Sequence, residues 1–239
     1  MLKAQHTPNM TGVLITGDFD DFYELYEALH KIVGDIEESG GYYPSGIRVL
    51  GFCYDLRHAF MGHRNAGFKE HGLNEEQMQF LSLVGPKENL YLSFETLWPE
   101  MFFIVFSLEN FIEQYKLREK THLWDENIAA VRKLQATIAR LVEETLTPNK
   151  FAMFKKWMQP NYGAYYNYYT QFVDYLNDKW INMDAKKREK NFNIYAKRLA
   201  ETSVEYLKQK KEIDEVALED GVSPMEIQYI YDDESPIKW

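Results

Sequence analysis

A mainly helical α+β fold, in which a small two- or three-stranded antiparallel sheet in the N-terminal half accompanies a helical bundle, is what this sequence predicts. Three observations carry that expectation. Apolar residues recur at helical spacing over most of the chain. Two stretches in the first half depart from that period: Val13 to Thr16 is a short apolar run closed by Gly17, and NLYLSFE, Asn89 to Glu95, alternates as a half-buried strand does. Residues that start and stop helices fall at the edges of the periodic segments.

The elements follow in order. Thr7-Pro8-Asn9 is turn chemistry, so residues 3–6 and 12–16 are expected to pair as a hairpin, with 89–95 as a third strand. The first helix is expected from about Asp20 to Val33, N-capped by Asp18, with acids in its first turn and Gly34 as its stop. Residues 35–46, with three glycines and Pro44, read as a loop before a second helix from about Ile47 to Met61, closed by Gly62. On that helix Val49, Phe52, Cys53, Leu56 and Phe60 make one apolar stripe and Leu50, Tyr54 and Met61 another. The remaining strip holds Arg48, Gly51, Asp55, His58 and Gly62. It is either a shallow floor for a ligand or a place where another backbone packs closely, with Asp55 and His58 forming a local pair.

Trp98-Pro99-Glu100 opens the third main helix, where Pro99 lacks an N–H that the first turn does not need and Glu100 meets the helix dipole. Met101 to Phe106 is apolar all round, which marks this helix as the most buried, with Glu100, Ser107 and Gln114 as a thin polar seam. Beyond residue 120 long helices take over. Ile128, Val131, Leu134, Ile138 and Leu141 line one, and Thr147-Pro148 starts a shorter one through Met158. Tyr165 to Trp180 and Phe192 to Tyr206 line two more, so residues 121–239 read as a long-helix bundle half. Residues 1–120 form the mixed helix and sheet half, and the two halves can share one core. The tyrosines from Tyr162 to Tyr169 suit an interhelical seam or a platform that stacks sugars or bases. Lys186, Lys187, Arg188 and Lys190 read as a solvated helix face or an anion site, and Ser223-Pro224-Met225-Glu226 as a capping box for a short helix before an acidic run, Asp232-Asp233-Glu234.

Composition narrows the function classes. With 239 residues, 45% hydrophobic and 27% charged, the chain can bury a core without disulfides. Its single cysteine, Cys53, lies in an apolar stretch, which fits a reducing cytoplasmic compartment and removes a Cys-type zinc site. The opening MLKAQHTPNMTG lacks the pattern of a secretion signal, and Met101 to Phe106 is far shorter than a membrane span, so a soluble protein without membrane contact is expected. A net charge of -10 opposes nucleic-acid binding.

The segment YDLRHAFMGHR, Tyr54 to Arg64, gathers Asp55, Arg57, His58, His63 and Arg64. These five and Glu100, which starts a buried helix directly after a strand, are the candidate ligand-binding residues. Glu27-Ala-Leu-His30 repeats the acid-x-x-His spacing of Asp55 and His58, as in metal-binding helical bundles, so His30, His58, Asp55 and Glu100 are candidate ligands for a divalent zinc, iron or manganese ion. No other cofactor is expected. GxGxxG, GxxxxGK[ST], HExxH and GxSxG are all absent, and no catalytic residue can be assigned.

The HTPNMTGVLITGDF opening, the LHKIVGD helix end, YDLRHA and the strand into LWPE together resemble a family of uncharacterised bacterial proteins carrying a domain of unknown function, over about residues 1–118. The resemblance implies a bacterial, Gram-positive, cytosolic protein and supplies no activity or site residue. Three functions compete. The first is a noncatalytic helical interaction or regulatory protein, using its aromatic second half to bind a protein partner or itself as a homo-oligomer, supported by 15% aromatic residues. The second is a metal-dependent enzyme with a His and carboxylate site. The third is a sensor of an anionic small molecule or nucleotide derivative, held by Arg57 and Arg64.

Overall fold

The computed structural model of the protein describes residues 1–160, 163–231 and 236–239. Tyr162 and the run Asp232 to Glu234, both singled out in the sequence, lie outside the described residues. The fold is mainly helical α+β. Strands β1 (Lys3–His6), β2 (Gly12–Gly17), β3 (Asn65–Glu70) and β4 (Glu88–Leu97) form one antiparallel sheet in the order β1-β2-β4-β3. Helices α1 (Phe19–Val33), α2 (Tyr43–Phe60), the short α3 (Glu75–Phe80) and α4 (Trp98–Arg118) belong to the same half of the chain. Helices α5 (Glu126–Thr145), α6 (Pro148–Trp157), α7 (Gln171–Ile181), α8 (Ala185–Ala200) and α9 (Val204–Asp220) complete it.

The first hairpin pairs Lys3 with Thr16 and His6 with Val13, and β2 pairs in turn with the inner half of β4, Val13 opposite Thr96. Val13, Ile15, Leu92 and Phe94 point into the core. Asp18 caps α1 by accepting from Asp21 N at 2.9 Å, and Asp21 accepts in return from Asp18 N at 3.2 Å. At the other end Gly34 takes φ 74°, and a Cβ there would lie 2.6 Å from Arg118 Nη2. That guanidinium donates to Ile32 O at 2.8 Å, so the last turn of α4 satisfies a terminal carbonyl of α1. Helix α4 is buried on all sides: Met101 to Ile112 has no exposed member. Its core continues through α1, α2, α5, α6, α7 and α8, from Leu2 to Tyr206.

Four local expectations differ from what is observed. The sheet has a further strand, β3, whose NAGFKE has neither alternation nor burial and pairs on β4 alone. Helix α2 begins at Tyr43, because Pro44 sits in the first turn, where it needs no N–H partner. The Tyr165 to Tyr169 stretch is not helical, and α7 starts only at Gln171. Asn110 on α4 claims that loop, donating to Gly163 O at 3.1 Å and accepting from Tyr165 N at 3.2 Å, while Ser45 donates to Tyr165 O at 3.0 Å. Backbone groups that a helix needs are thereby taken, and Asn167 at φ 53° prevents the turn from continuing. Last, Ser223 to Glu226 forms a turn, closed by Ser223 N donating to Glu226 Oε1 at 2.9 Å, and no helix follows it among the described residues.

Arg188, grouped in the sequence with three lysines, faces inward. Its Nε and Nη2 donate to Trp180 O and Ile181 O at 2.9 and 2.7 Å, the carbonyl end of α7, and Nη1 reaches Asn9 O and Thr11 Oγ1 at 2.9 and 2.7 Å. One side chain thus ties α7, α8 and the β1–β2 turn.

Asp21 fastens α1 to α5. Burial raises its carboxyl, but bonds from Lys133 Nζ at 2.6 Å and the Met1 ammonium at 2.7 Å outweigh this and hold it at about 2, below the ordinary 3.8. Because the folded value is depressed, the stabilisation is present above the unfolded value and disappears as pH falls through about 2. Lys133→Met is expected to cost about 1 kcal/mol at neutral pH, since Lys133 is half exposed. Urea unfolding should show that cost shrinking as pH approaches about 2. An equal cost at both pH values would refute the assignment.

Candidate functional site

The charged residues of α2, α4 and α7 meet at Arg48. The β4–α4 junction fixes one side, since Leu97 ends the strand and Trp98 begins the helix, which places Glu100 in the first buried turn. Arg48 Nε donates to Glu100 Oε1 at 2.8 Å and Nη2 to Oε2 at 2.5 Å. The other side of the fork meets Asp174 on α7, with Nη2 to Oδ1 at 2.8 Å and Nη1 to Oδ2 at 3.0 Å, and Nη1 also reaches Thr170 O at 3.1 Å. All the guanidinium donors are used. Burial opposes its charge, yet Glu100 and Asp174 outweigh burial and raise the Arg48 pKa above its ordinary value. Asn177 Nδ2 donates to Glu100 Oε2 at 3.0 Å and Tyr231 OH to Asp174 Oδ1 at 3.2 Å. Burial, and after it the Asp174 charge, pushes the Tyr231 phenol up.

A cleft of about 410 Å³ opens above this clamp. Glu100 and Asn177 line its base, the end of β4 including Glu95 makes one wall, Asp55 and Arg64 another, and Trp239 closes a side. Trp239 is held there by Asn9 Nδ2, which donates to Trp239 O at 2.6 Å, and by Thr11 Oγ1, which donates to Lys238 O at 2.6 Å. Thr11 is itself oriented by Arg188.

Of the residues nominated from sequence, Asp55, Arg64 and Glu100 share this cleft. Asp55 does not pair with His58: Arg64 Nη2 donates to Asp55 Oδ1 at 2.7 Å, because the turn after α2 brings Arg64 back over the helix. His58 lies beside His63, their Nδ1 atoms 3.2 Å apart, and against the Tyr54 ring at 4.1 Å. Desolvation and then the positive charges of Arg64, His63 and Arg57 push His58 below its ordinary pKa. Arg57 lies over the Tyr54 ring at 5.6 Å, and His30 packs on Tyr26 at 4.5 Å. His30, His58, Asp55 and Glu100 are thus not brought to one point, and among the described residues no group of three or more His, Cys, Asp or Glu side chains is arranged to hold a metal ion. Gly51 and Gly62 on the same strip face open space, so close backbone packing does not explain them. Asp174 and Asn177 were missed. Their signal was a pair of polar residues three apart among apolar positions of α7, visible only once the helix is placed.

Two other features bear on function. A cleft of about 460 Å³ between the loop at Gly40 and Gly41, the Tyr168–Tyr169 loop and Lys210 contains none of the nominated charged residues. The segment from β3 through α3 to the start of β4 stands out from the core and exposes Phe68, Phe80, Leu81, Leu83, Val84 and Leu90. Among the described residues no helix is long and apolar enough to cross a membrane.

A mainly helical α+β protein, in which a half-buried arginine holds two carboxylates below an acidic cleft, is the class these features define. The chain belongs to the family described as a domain of unknown function (DUF6904), whose model matches residues 2–239, well past the stretch that suggested a resemblance. Comparison with curated proteins and with solved structures gives no match.

Arg48→Met is expected to cost about 2–3 kcal/mol, less than breaking a fully buried pair, because it leaves the half-buried Glu100 and Asp174 without their countercharge. Arg48→Lys should recover only part of this, since an ammonium cannot present the planar fork to two carboxylates. Urea denaturation of both variants measures it. A loss below about 1 kcal/mol in Arg48→Met would mean that the clamp is not what joins the three helices.

Proposed function

We propose that the protein is a noncatalytic interaction or regulatory protein that self-associates through the arm formed by β3, α3 and the outer half of β4. The observation that carries the reading is the six large apolar side chains exposed on this one excursion, Phe80 at 88% and Val84 at 102% among them. Apolar groups concentrated on a single protrusion mark an interaction surface, whereas singly scattered ones do not. Residues 65–70 are exposed throughout, so the β3–β4 ladder lacks the packed face that normally supports a hairpin. Covering by a partner supplies that face.

A second copy is the partner the geometry favours. β3 is the edge of an antiparallel sheet, and an identical strand related by a two-fold axis continues the sheet while closing the assembly. Pairing about the Gly67–Phe68 centre sets Asn65 against Glu70 and Ala66 against Lys69, with no like charges opposed. A bacterial, cytosolic setting belongs to the same proposal, supported by the resemblance read in the sequence and by the lone, buried Cys53, whose thiol burial pushes up to about 12.

Light scattering on the whole chain, with Phe80→Asp and Val84→Asp combined, is the test. The unaltered protein is expected to be a dimer and the double variant a folded monomer with unchanged circular dichroism, since neither side chain contributes to the core. A native chain that stays monomeric at high micromolar concentration would overturn the proposal.

A further inference from the structure

The cleft over the Arg48 clamp has an electrostatic imbalance. Glu100 and Asp174 carry two negative charges against the single charge of Arg48, and their remaining partners, Asn177 and Tyr231, are neutral. At the mouth Asp55 and Arg64 cancel each other at 2.7 Å. Glu95 on the wall is met only by the neutral amide of Asn65, at 3.3 Å. The cleft therefore carries an excess of negative charge.

A second, independent observation lies at its base. Asn177 is 3% exposed, and because its Nδ2 is committed to Glu100, the Oδ1 atom is left as a buried acceptor without a hydrogen-bond partner. Such an atom costs about 1–3 kcal/mol unless a donor reaches it. Glu100 Oε1, which receives only Arg48 Nε, keeps a lone pair of its own. The side chains of Trp239 and Leu97 supply aromatic and apolar surface around these acceptors. Acceptors at the base, surplus negative charge and an aromatic wall are the requirements of a cation that donates hydrogen bonds and carries a short aliphatic stem.

We propose that this cleft binds a primary alkylammonium group, its N–H donors directed to Asn177 Oδ1 and Glu100 and its stem lying along Trp239. The ammonium can belong to a free amine or to a lysine side chain, and the cleft chemistry is the same for both. An anion is disfavoured, because the one arginine at the mouth is already neutralised. The cleft lies apart from the exposed apolar side chains of the arm, so the site is read separately from self-association.

Isothermal titration of the whole chain with n-butylammonium and with Nα-acetyl-lysine N-methylamide, at constant ionic strength, tests the proposal, with n-butanol and tetramethylammonium as controls. Saturable one-to-one binding of either ammonium probe is expected, with the preferred probe identifying the source. Binding should be about tenfold weaker in Glu95→Gln, which removes one negative charge from the cleft wall. Glu95→Gln keeps an acceptor for Asn65 on a half-exposed strand position, so the variant folds and the comparison holds; Asn177→Leu, checked for folding by circular dichroism, should abolish binding. Absence of saturable binding by both ammonium probes would overturn the inference. So would equal affinity for tetramethylammonium, which has charge but no N–H, or affinities unchanged in both variants.

Discussion

Helix α4 cannot give any face to water, and that constraint organises the molecule. From Met101 to Ile112 every position is apolar and buried or polar and bonded, so other elements must cover the helix on all sides. The sheet approaches its N-terminal end, α1 and α2 cover one flank, and α5, α7 and α8 cover the rest. Connections that look arbitrary along the chain follow from this demand. Asn110 recruits the Tyr165 loop to a gap between helices, and Arg118 turns back to close the end of α1. Packing an all-round apolar helix contributes hydrophobic stabilisation, and it also brings the polar groups of that helix into the interior.

Two acids on α4 meet that burial, and they are compensated differently. Glu109, 1% exposed, is matched by the single guanidinium of Arg132, while Gln135 donates to Glu109 Oε1 at 2.8 Å. Charge there balances one to one. Glu100 instead shares Arg48 with Asp174, so two carboxylates divide one cation. The first arrangement closes on itself. The second is geometrically complete but electrostatically open, and the remaining charge lies at the base of a cleft rather than inside packed side chains. Removing an unpaired buried charge from water is costly, so the imbalance is tolerable only where water or a cation can approach.

What the sequence revealed depended on whether the governing physics was local. Helix α1 was legible because its cap Asp18, its stripe and Gly34 all lie within the element, and α4 because Pro99 and the run Met101 to Phe106 need no partner to be read. The β1–β2 hairpin followed from turn chemistry. By contrast β3 is defined by pairing with β4 and has no pattern of its own, and the tyrosine loop has helical spacing but loses its backbone bonds to Asn110 and Ser45. The site divides in the same way. Asp55, Arg64 and Glu100 were nominated by residue type and fall on one cleft, but their partners, Arg48 with Asp174 and Asn177, depend on contacts between residues far apart in the chain. The His58 pairing failed for the same reason, because Arg64, outside the helix, competes for Asp55 with a full charge and a better donor.

Strand β4 connects the two surfaces of interest. Its inner residues, Leu92 to Leu97, pair with β2, alternate into the core and end on the wall of the acidic cleft. Its outer residues, Glu88 to Leu90, pair only with β3 and are exposed. One continuous backbone therefore passes from a part held by the core to a part held by a single ladder of hydrogen bonds. Opening of the arm removes no core contact and so requires far less free energy than global unfolding, while the cleft wall stays in register through β2. The wall of the cleft is thus fixed by β2 and the core, and the arm meets it only where Asn65 reaches Glu95. That separation is what a strand anchored at one end and free at the other imposes.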